Sequence, residues 1–221
     1  MVVVTENRWI PATGAVLDAE LVVPDRPQGT VVFALSSGSG HRDPDNRYIA
    51  TSLGSAGLAS VTTDLLTSAE AQRDVREGRL KFDIGLLTGR MEAVLEWVSA
   101  DERLNGLDLG FLGADTGTAA ALCTAARHSG IRTVVSSDGR PDLAADCLRE
   151  VRQPTLLIVR CGDPVIIEYN RQAMELLNSD ARLEIVSNVQ HLFGETSTLE
   201  RIARLTRDWF SAHLGRARNG R

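Results

Sequence analysis

Gly113-Ala114-Asp115-Thr116-Gly117 has the spacing of a nucleophile elbow, G-x-S-x-G, with an acid in the place of the serine. The two glycines fit such a turn, because strand and helix backbones pass closely there and a side chain would obstruct them. A carboxylate at this position needs no deprotonation before it attacks. Its chemistry would be displacement at a saturated carbon that bears a leaving group or belongs to an epoxide, giving an alkyl ester of the protein. A histidine could then activate water against that ester, and backbone N–H groups would stabilise the tetrahedral intermediate formed on the aspartate itself.

The elements that must hold the turn are legible on both sides. Leu107 to Leu112 is apolar and strand-like, and Thr116 to Arg127 opens a helix of small residues. Val2 to Val4 and Ala15 to Val23 read as an antiparallel opening around Pro11 to Gly14. Thr30 to Leu35, Ala59 to Thr63, Thr133 to Ser136, Thr155 to Val159 and Leu183 to Val186 are short apolar runs of the kind buried on both faces of a sheet. Helical stretches Arg47 to Ala56, Phe82 to Ser99, Val165 to Leu177 and Thr198 to Leu214 alternate with them. This alternation predicts an α/β fold, a mostly parallel sheet with helices on both faces. In such sheets functional groups gather past the carboxyl ends of the strands, which selects Ser36 to His41, Asp64, Asp115, Ser137 to Arg140, Asp163 and His191.

Chain order adds two partners for Asp115: an acid after a later strand, Asp163, and a histidine after the last strand, His191. Asp163 also stands where it could cap the helix from Val165, and His191 could be an ordinary loop residue. With these residues in place, the sequence resembles the dienelactone hydrolase-like branch of the α/β-hydrolase family nearly end to end. The likeness rests on Pro44, Asn46 and Arg47, Asp64-Leu65-Leu66-Thr67, Arg79 to Leu87, Gly139 to Ala144, Pro154 to Val159 and His191-Leu192-Phe193. The resemblance implies the α/β-hydrolase fold without a cap domain, a triad of Asp115, His191 and Asp163, and no cofactor or metal. The usual His-Gly pair after the first central strand is replaced by Leu35-Ser36. Ser36, Ser37 and Gly38, with Thr116 after the elbow acid, are the candidates for the oxyanion hole and substrate contacts, beside an ordinary loop reading for the first three. Tyr48, His41, Arg42 and Arg140 are candidate donors or substrate ligands, although Tyr48 could simply pack on its helix and Arg140 could form a surface ion pair. Epoxide hydrolases and haloalkane dehalogenases of this fold look similar in using an acid at the elbow. A non-hydrolytic acid/base enzyme using Asp115 and His191 stays open, as does a silent ligand-binding or interaction protein whose serine was lost or deliberately replaced.

Composition narrows the partners. The 221 residues, 43% hydrophobic, suit one domain over 1–214, with a disordered basic tail over 215–221. A net charge of −5 with no basic stripe argues against nucleic acid. No run approaches the ~18 apolar residues of a membrane span, and the N-terminus lacks a signal pattern, so a cytoplasmic monomer or homodimer acting on a small molecule is expected. Cys123, Cys147 and Cys161 lack metal-type spacing, and neither a disulfide framework nor a zinc site is expected of them. Trp97 and Trp209 fall at core-facing helical positions.

Overall fold

A computed structural model describes residues 3–36, 40–160, 162–186 and 197–215. Strand β1 (Val3–Ala12) returns through Thr13-Gly14 into β2 (Ala15–Pro24), so the opening strand is far longer than the apolar Val2–Val4 run suggests. The alternation of Glu6, Arg8 and Ile10 with exposed residues identifies β1 as an edge strand covered on one face.

Among the described residues, six further strands and seven α-helices follow. They are β3 (Thr30–Leu35), α1 (Pro44–Ser55), β4 (Ala59–Asp64), α2 (Ser68–Glu77), α3 (Ile84–Ala100), β5 (Leu109–Ala114), α4 (Gly117–Arg127), β6 (Ile131–Ser137), α5 (Ala145–Leu148), β7 (Thr155–Arg160), α6 (Pro164–Leu176), β8 (Ala181–Val186) and α7 (Thr198–His213). Short α5 and the polar α2 add to the helices expected. The sheet order is β1-β2-β4-β3-β5-β6-β7-β8; β1 and β2 run antiparallel to their neighbours and all the later pairings are parallel. This is the α/β-hydrolase fold. Between β6 and β7 the chain builds only a 3-10 turn (Pro141–Ala144) and α5, so there is no cap domain.

Packing explains which residues each element uses. Every residue of β3 and β4 is buried, as expected of central strands with helices on both faces. One apolar layer joins α3 and α4 to the sheet through Leu87, Met91, Val94 and Phe111, and the other joins α1 and α7 through Phe33, Leu53, Ile202 and Phe210. Trp97 and Trp209 each pack against one of these layers. Strand β5 runs two residues past its apolar stretch, up to Ala114, because the turn at Asp115 is tied directly to its end.

Helix α2 carries no buried apolar residue. It starts on a capping box in which Thr67 and Glu70 satisfy each other's backbone N–H groups. Glu70 then pairs twice with buried Arg90 of α3, whose guanidinium also donates to the Leu65 carbonyl. That pairing, opposed by partial burial and helped by the Thr67 bonds, holds the Glu70 carboxyl at about 2.

The cysteine expectation is overturned. Cys123 of α4 and Cys147 of α5 form a disulfide with a Cα separation of 5.2 Å. Cys123 is buried where α4 meets α5, and only the packing of these helices brings the two sulfurs together. Among the described residues no cluster of three or more His, Cys, Asp or Glu is placed to hold a metal, and no helix is long and apolar enough to cross a membrane. Residues 216–221 of the basic tail lie outside the described residues.

Candidate active site

The turn between β5 and α4 has the geometry its sequence requires. Asp115 has φ 48°, in the left-handed region that non-glycine residues rarely occupy, and its side chain is exposed. A methyl group on Gly113 would strike the Thr118 backbone, and one on Gly117 would strike the Ala34 carbonyl at the end of β3. Both glycines are therefore needed for close approach. The Asp115 carbonyl accepts from Thr118 N–H at 3.2 Å and from Arg140 N–H at 3.0 Å, so the turn is held from its own helix and from the loop after β6. Helix α4 is buried from Gly117 to Ala125, which accounts for its alanines: larger side chains would not fit between β5 and α3.

Asp115 lines a cavity of about 280 Å³ with Asp43, Asn46 and Ile49 of the α1 start and with Asp138 and Arg160 of neighbouring strand ends. Asp138 also has φ 48°. Its carboxylate accepts from the Arg160 backbone at 2.7 Å and from Arg160 Nε at 3.0 Å, while Arg160 lies 3.7 Å from Asp45. A neighbouring hollow of about 290 Å³ contains Asp163, and Asp138 and Arg160 line both spaces. Asp138 was among the strand-end candidates without an assigned role; its Asp-Gly step, tolerant of positive φ, was the available signal. Arg160 and Asp45 gave none. A larger groove of about 790 Å³ opens at the opposite edge, by Leu109 and Ile131 at the starts of β5 and β6. Position at the carboxyl edge, not volume, identifies the site.

The other sequence candidates are placed as follows. Asp163 accepts from Val165 and Ile166 N–H through Oδ1 alone, so it does cap α6, and this cap does not use Oδ2. Arg140 makes two bonds to Asp142, at 2.7 and 2.8 Å, and lies over the Tyr169 ring at 4.7 Å. The Asp142 bonds raise its pKa, with burial opposing and the charges of Asp142, Tyr169 and Asp115 adding to the rise. Thr116 is fully buried beside the elbow, and its hydroxyl has no hydrogen-bond partner among the described residues. Ser36 is buried at the end of β3, and Tyr48 is half exposed on α1. Ser37, Gly38 and His191 lie outside the described residues.

The same edge contains His41 and Asp64, in contact at 2.5 Å and almost entirely buried, so His41 is turned to Asp64 and not placed as a donor to substrate. Sequence reasoning placed both at strand ends but gave no reason to join them.

Comparison with known proteins agrees with this architecture. No family model matches the sequence. Two Mycobacterium tuberculosis proteins, from strains CDC 1551 and H37Rv, are each 43% identical over 195 residues covering 88% of this chain, and both are named as phosphoribosyl transferases. The matched region spans only 43% of their length. The crystal structure of a dienelactone hydrolase from Anabaena variabilis is 39% identical, with a TM-score of 0.87, over 96% of this chain and 99% of that one. A CIB-like hydrolase from Thermoplasma acidophilum shares the fold at 17% identity and a TM-score of 0.73, over 96% of this chain and all of that one. An elbow at the end of the fifth strand, an uncapped carboxyl edge and end-to-end likeness at this identity place the chain in the dienelactone hydrolase-like branch of the α/β-hydrolases.

Proposed function

We propose that the protein is a hydrolase in which Asp115 is the nucleophile, acting on a small epoxide, lactone or alkyl halide through a covalent ester. The observation that carries this reading is Asp115 itself, exposed at φ 48° on an elbow that both glycines and the Arg140 amide hold in place. A carboxylate oxygen of Asp115 attacks the electrophilic carbon, and the leaving oxygen or halide departs with the bond's electron pair. His191, oriented by Asp163, then takes a proton from water. The hydroxide so formed attacks the Asp115 carbonyl carbon, and N–H groups of Thr116 and the Ser36 to Gly38 segment receive the negative oxygen. Collapse expels the alcohol oxygen, which takes the proton back from His191; the Asp115 carboxyl then gives its own proton to the epoxide or lactone oxygen freed in the first step, or to solvent where halide left, and the carboxylate is restored.

The end-to-end match to a dienelactone hydrolase favours hydrolysis for this chain over the transferase activity named for the longer relatives. Substrate binding in this scheme uses the cavity walls at Asn46, Ile49 and Leu112. Tyr48, half exposed on α1, and Arg140, whose backbone N–H holds the Asp115 carbonyl, are assigned to substrate contacts.

A single turnover of a small epoxide in heavy-oxygen water tests the scheme. The attacking oxygen comes from Asp115, so the first product carries ordinary oxygen and the label enters the Asp115 carboxylate, read by peptide mass spectrometry. Labelled product with unlabelled Asp115 would mean direct attack by water and would sink the covalent route. Asp115→Ser tests the surrounding machinery separately: esterase activity on short activated esters is expected, since that serine would have the same donors around it.

A further inference from the structure

The His41–Asp64 pair is far too buried to meet a substrate, yet it joins the elements that build one wall of the Asp115 cavity. Leu35, the last residue of β3, is the parallel partner of Asp64 at the end of β4, and Leu65 N–H donates to the Leu35 carbonyl at 2.7 Å. Asp64 also binds the start of the next described segment, at Gly40. Asp64 Oδ1 accepts from Gly40 N–H at 2.9 Å; Oδ2 accepts from His41 N–H at 3.0 Å and contacts His41 Nδ1 at 2.5 Å. Arg42 Nε donates to His41 Nε2 at 3.0 Å, which makes Nε2 the acceptor and leaves Nδ1 to donate. The Gly40 carbonyl in turn accepts from Asp43 N–H at 3.1 Å and from Asn46 Nδ2 at 2.9 Å. Asp43 and Asn46 line the cavity that contains Asp115.

We infer that Asp64 and His41 are positioning residues which fix Gly40 and the first turn of α1 against Asp115 and so set the geometry in which its ester forms and is hydrolysed. The inference rests on the Asp115 nucleophile reading for its catalytic consequence, but not for the clamp itself. One buried carboxylate collects at least three donors from two successive residues. Each bond there is worth more than on the surface, and a missing donor leaves a buried charge under-satisfied. Two neighbouring strands are thereby tied to one helix start. A displacement of that wall by about 1 Å is enough to cost about 100-fold in turnover.

Two substitutions of His41 separate positioning from bulk stability. An asparagine amide nitrogen falls near Nδ1, whereas a glutamine amide falls near Nε2. His41→Asn therefore keeps the donor to Asp64, and His41→Gln removes it while preserving polarity. We expect His41→Asn to retain turnover within about three-fold and His41→Gln to lose roughly 10- to 100-fold in kcat with KM little changed. The assay uses a small epoxide with the full-length protein, and activated esters in the Asp115→Ser background.

The clamp has a readout free of activity. In nitrogen-15 NMR of the parent protein, the His41 ring should show a protonated Nδ1 and an unprotonated Nε2. The Gly40 and His41 amides should exchange slowly with solvent, and both should lose that protection in His41→Gln. If these signatures are present but neither background turns over any substrate, the nucleophile reading fails and the clamp stands. Unprotected amides or a protonated Nε2 in the parent would overturn the clamp. Equal kcat in the asparagine and glutamine variants, or equal loss accompanied by equal drops in Tm, would overturn the positioning role.

Discussion

Under the proposed scheme, the side-chain group at residue 115 decides which bonds can be attacked. Serine requires a base before it acts on a carbonyl carbon, whereas a carboxylate is already charged and suits displacement at saturated carbon. The structure shows how narrowly the surrounding residues confine that group. Gly117 faces the Ala34 carbonyl without room for a methyl group, while Gly89 in α3 has open space around it. Gly117→Ala should destabilise the protein by about 1–3 kcal/mol, the usual cost of overpacking, and should displace the elbow. Gly89→Ala should instead stabilise it by about 0.5–1 kcal/mol through helix propensity and a less flexible unfolded chain. Urea unfolding of the two variants checks both signs. Asp163 illustrates the residue scale differently: its helix cap is formed through Oδ1 alone.

Elements differ in how openly the sequence announces them. Strands β3 and β7 were legible almost to the residue, because continuous apolar runs bounded by polar loops admit few other readings. Helix α2 was invisible to apolar periodicity, since its residues bury only Asp74. Its signal was Thr67-Ser68-Ala69-Glu70, a capping pattern independent of any core. Asp74 then accepts from the backbones of Arg79, Leu80 and Lys81 and fixes the chain that leads into α3. The disulfide acts at this same scale, joining the elbow helix α4 to α5 across 24 residues. Closing a loop of that length should contribute about 3–4 kcal/mol by reducing unfolded-chain entropy. Reduction by dithiothreitol, or Cys147→Ser, should therefore lower the urea midpoint by a corresponding amount, while a value unchanged on reduction would show that the bond adds nothing to stability.

Across the whole molecule, charge couples the site's framework to solvent conditions. Glu70 lies on α2, its partner Arg90 on α3, and the Arg90 guanidinium also reaches the carbonyl of Leu65 just past β4. The folded value of about 2 lies below the ordinary 4.5. The pair's contribution is thus fully present above about pH 4.5 and is lost as pH falls through about 2. Urea unfolding of the parent and of Glu70→Gln should differ by a constant amount above pH 5, and the gap should close steadily towards pH 2. A gap that stayed constant over that range would mean that ionisation of Glu70 does not stabilise the fold.

What the sequence determined by itself was whatever neighbours along the chain can encode. Strand and helix periods, the glycine spacing of the elbow and the acid within it all rest on steric and hydrophobic rules that act over a few residues. Only the tertiary structure decided which distant groups meet. It joined Cys123 to Cys147, set Asp138 and Arg160 beside Asp115, and buried His41 against Asp64. Such pairings depend on the order of strands in the sheet and on where each helix returns. No local period records that order: β3 lies between β4 and β5 because crossover connections and packing on both faces put it there.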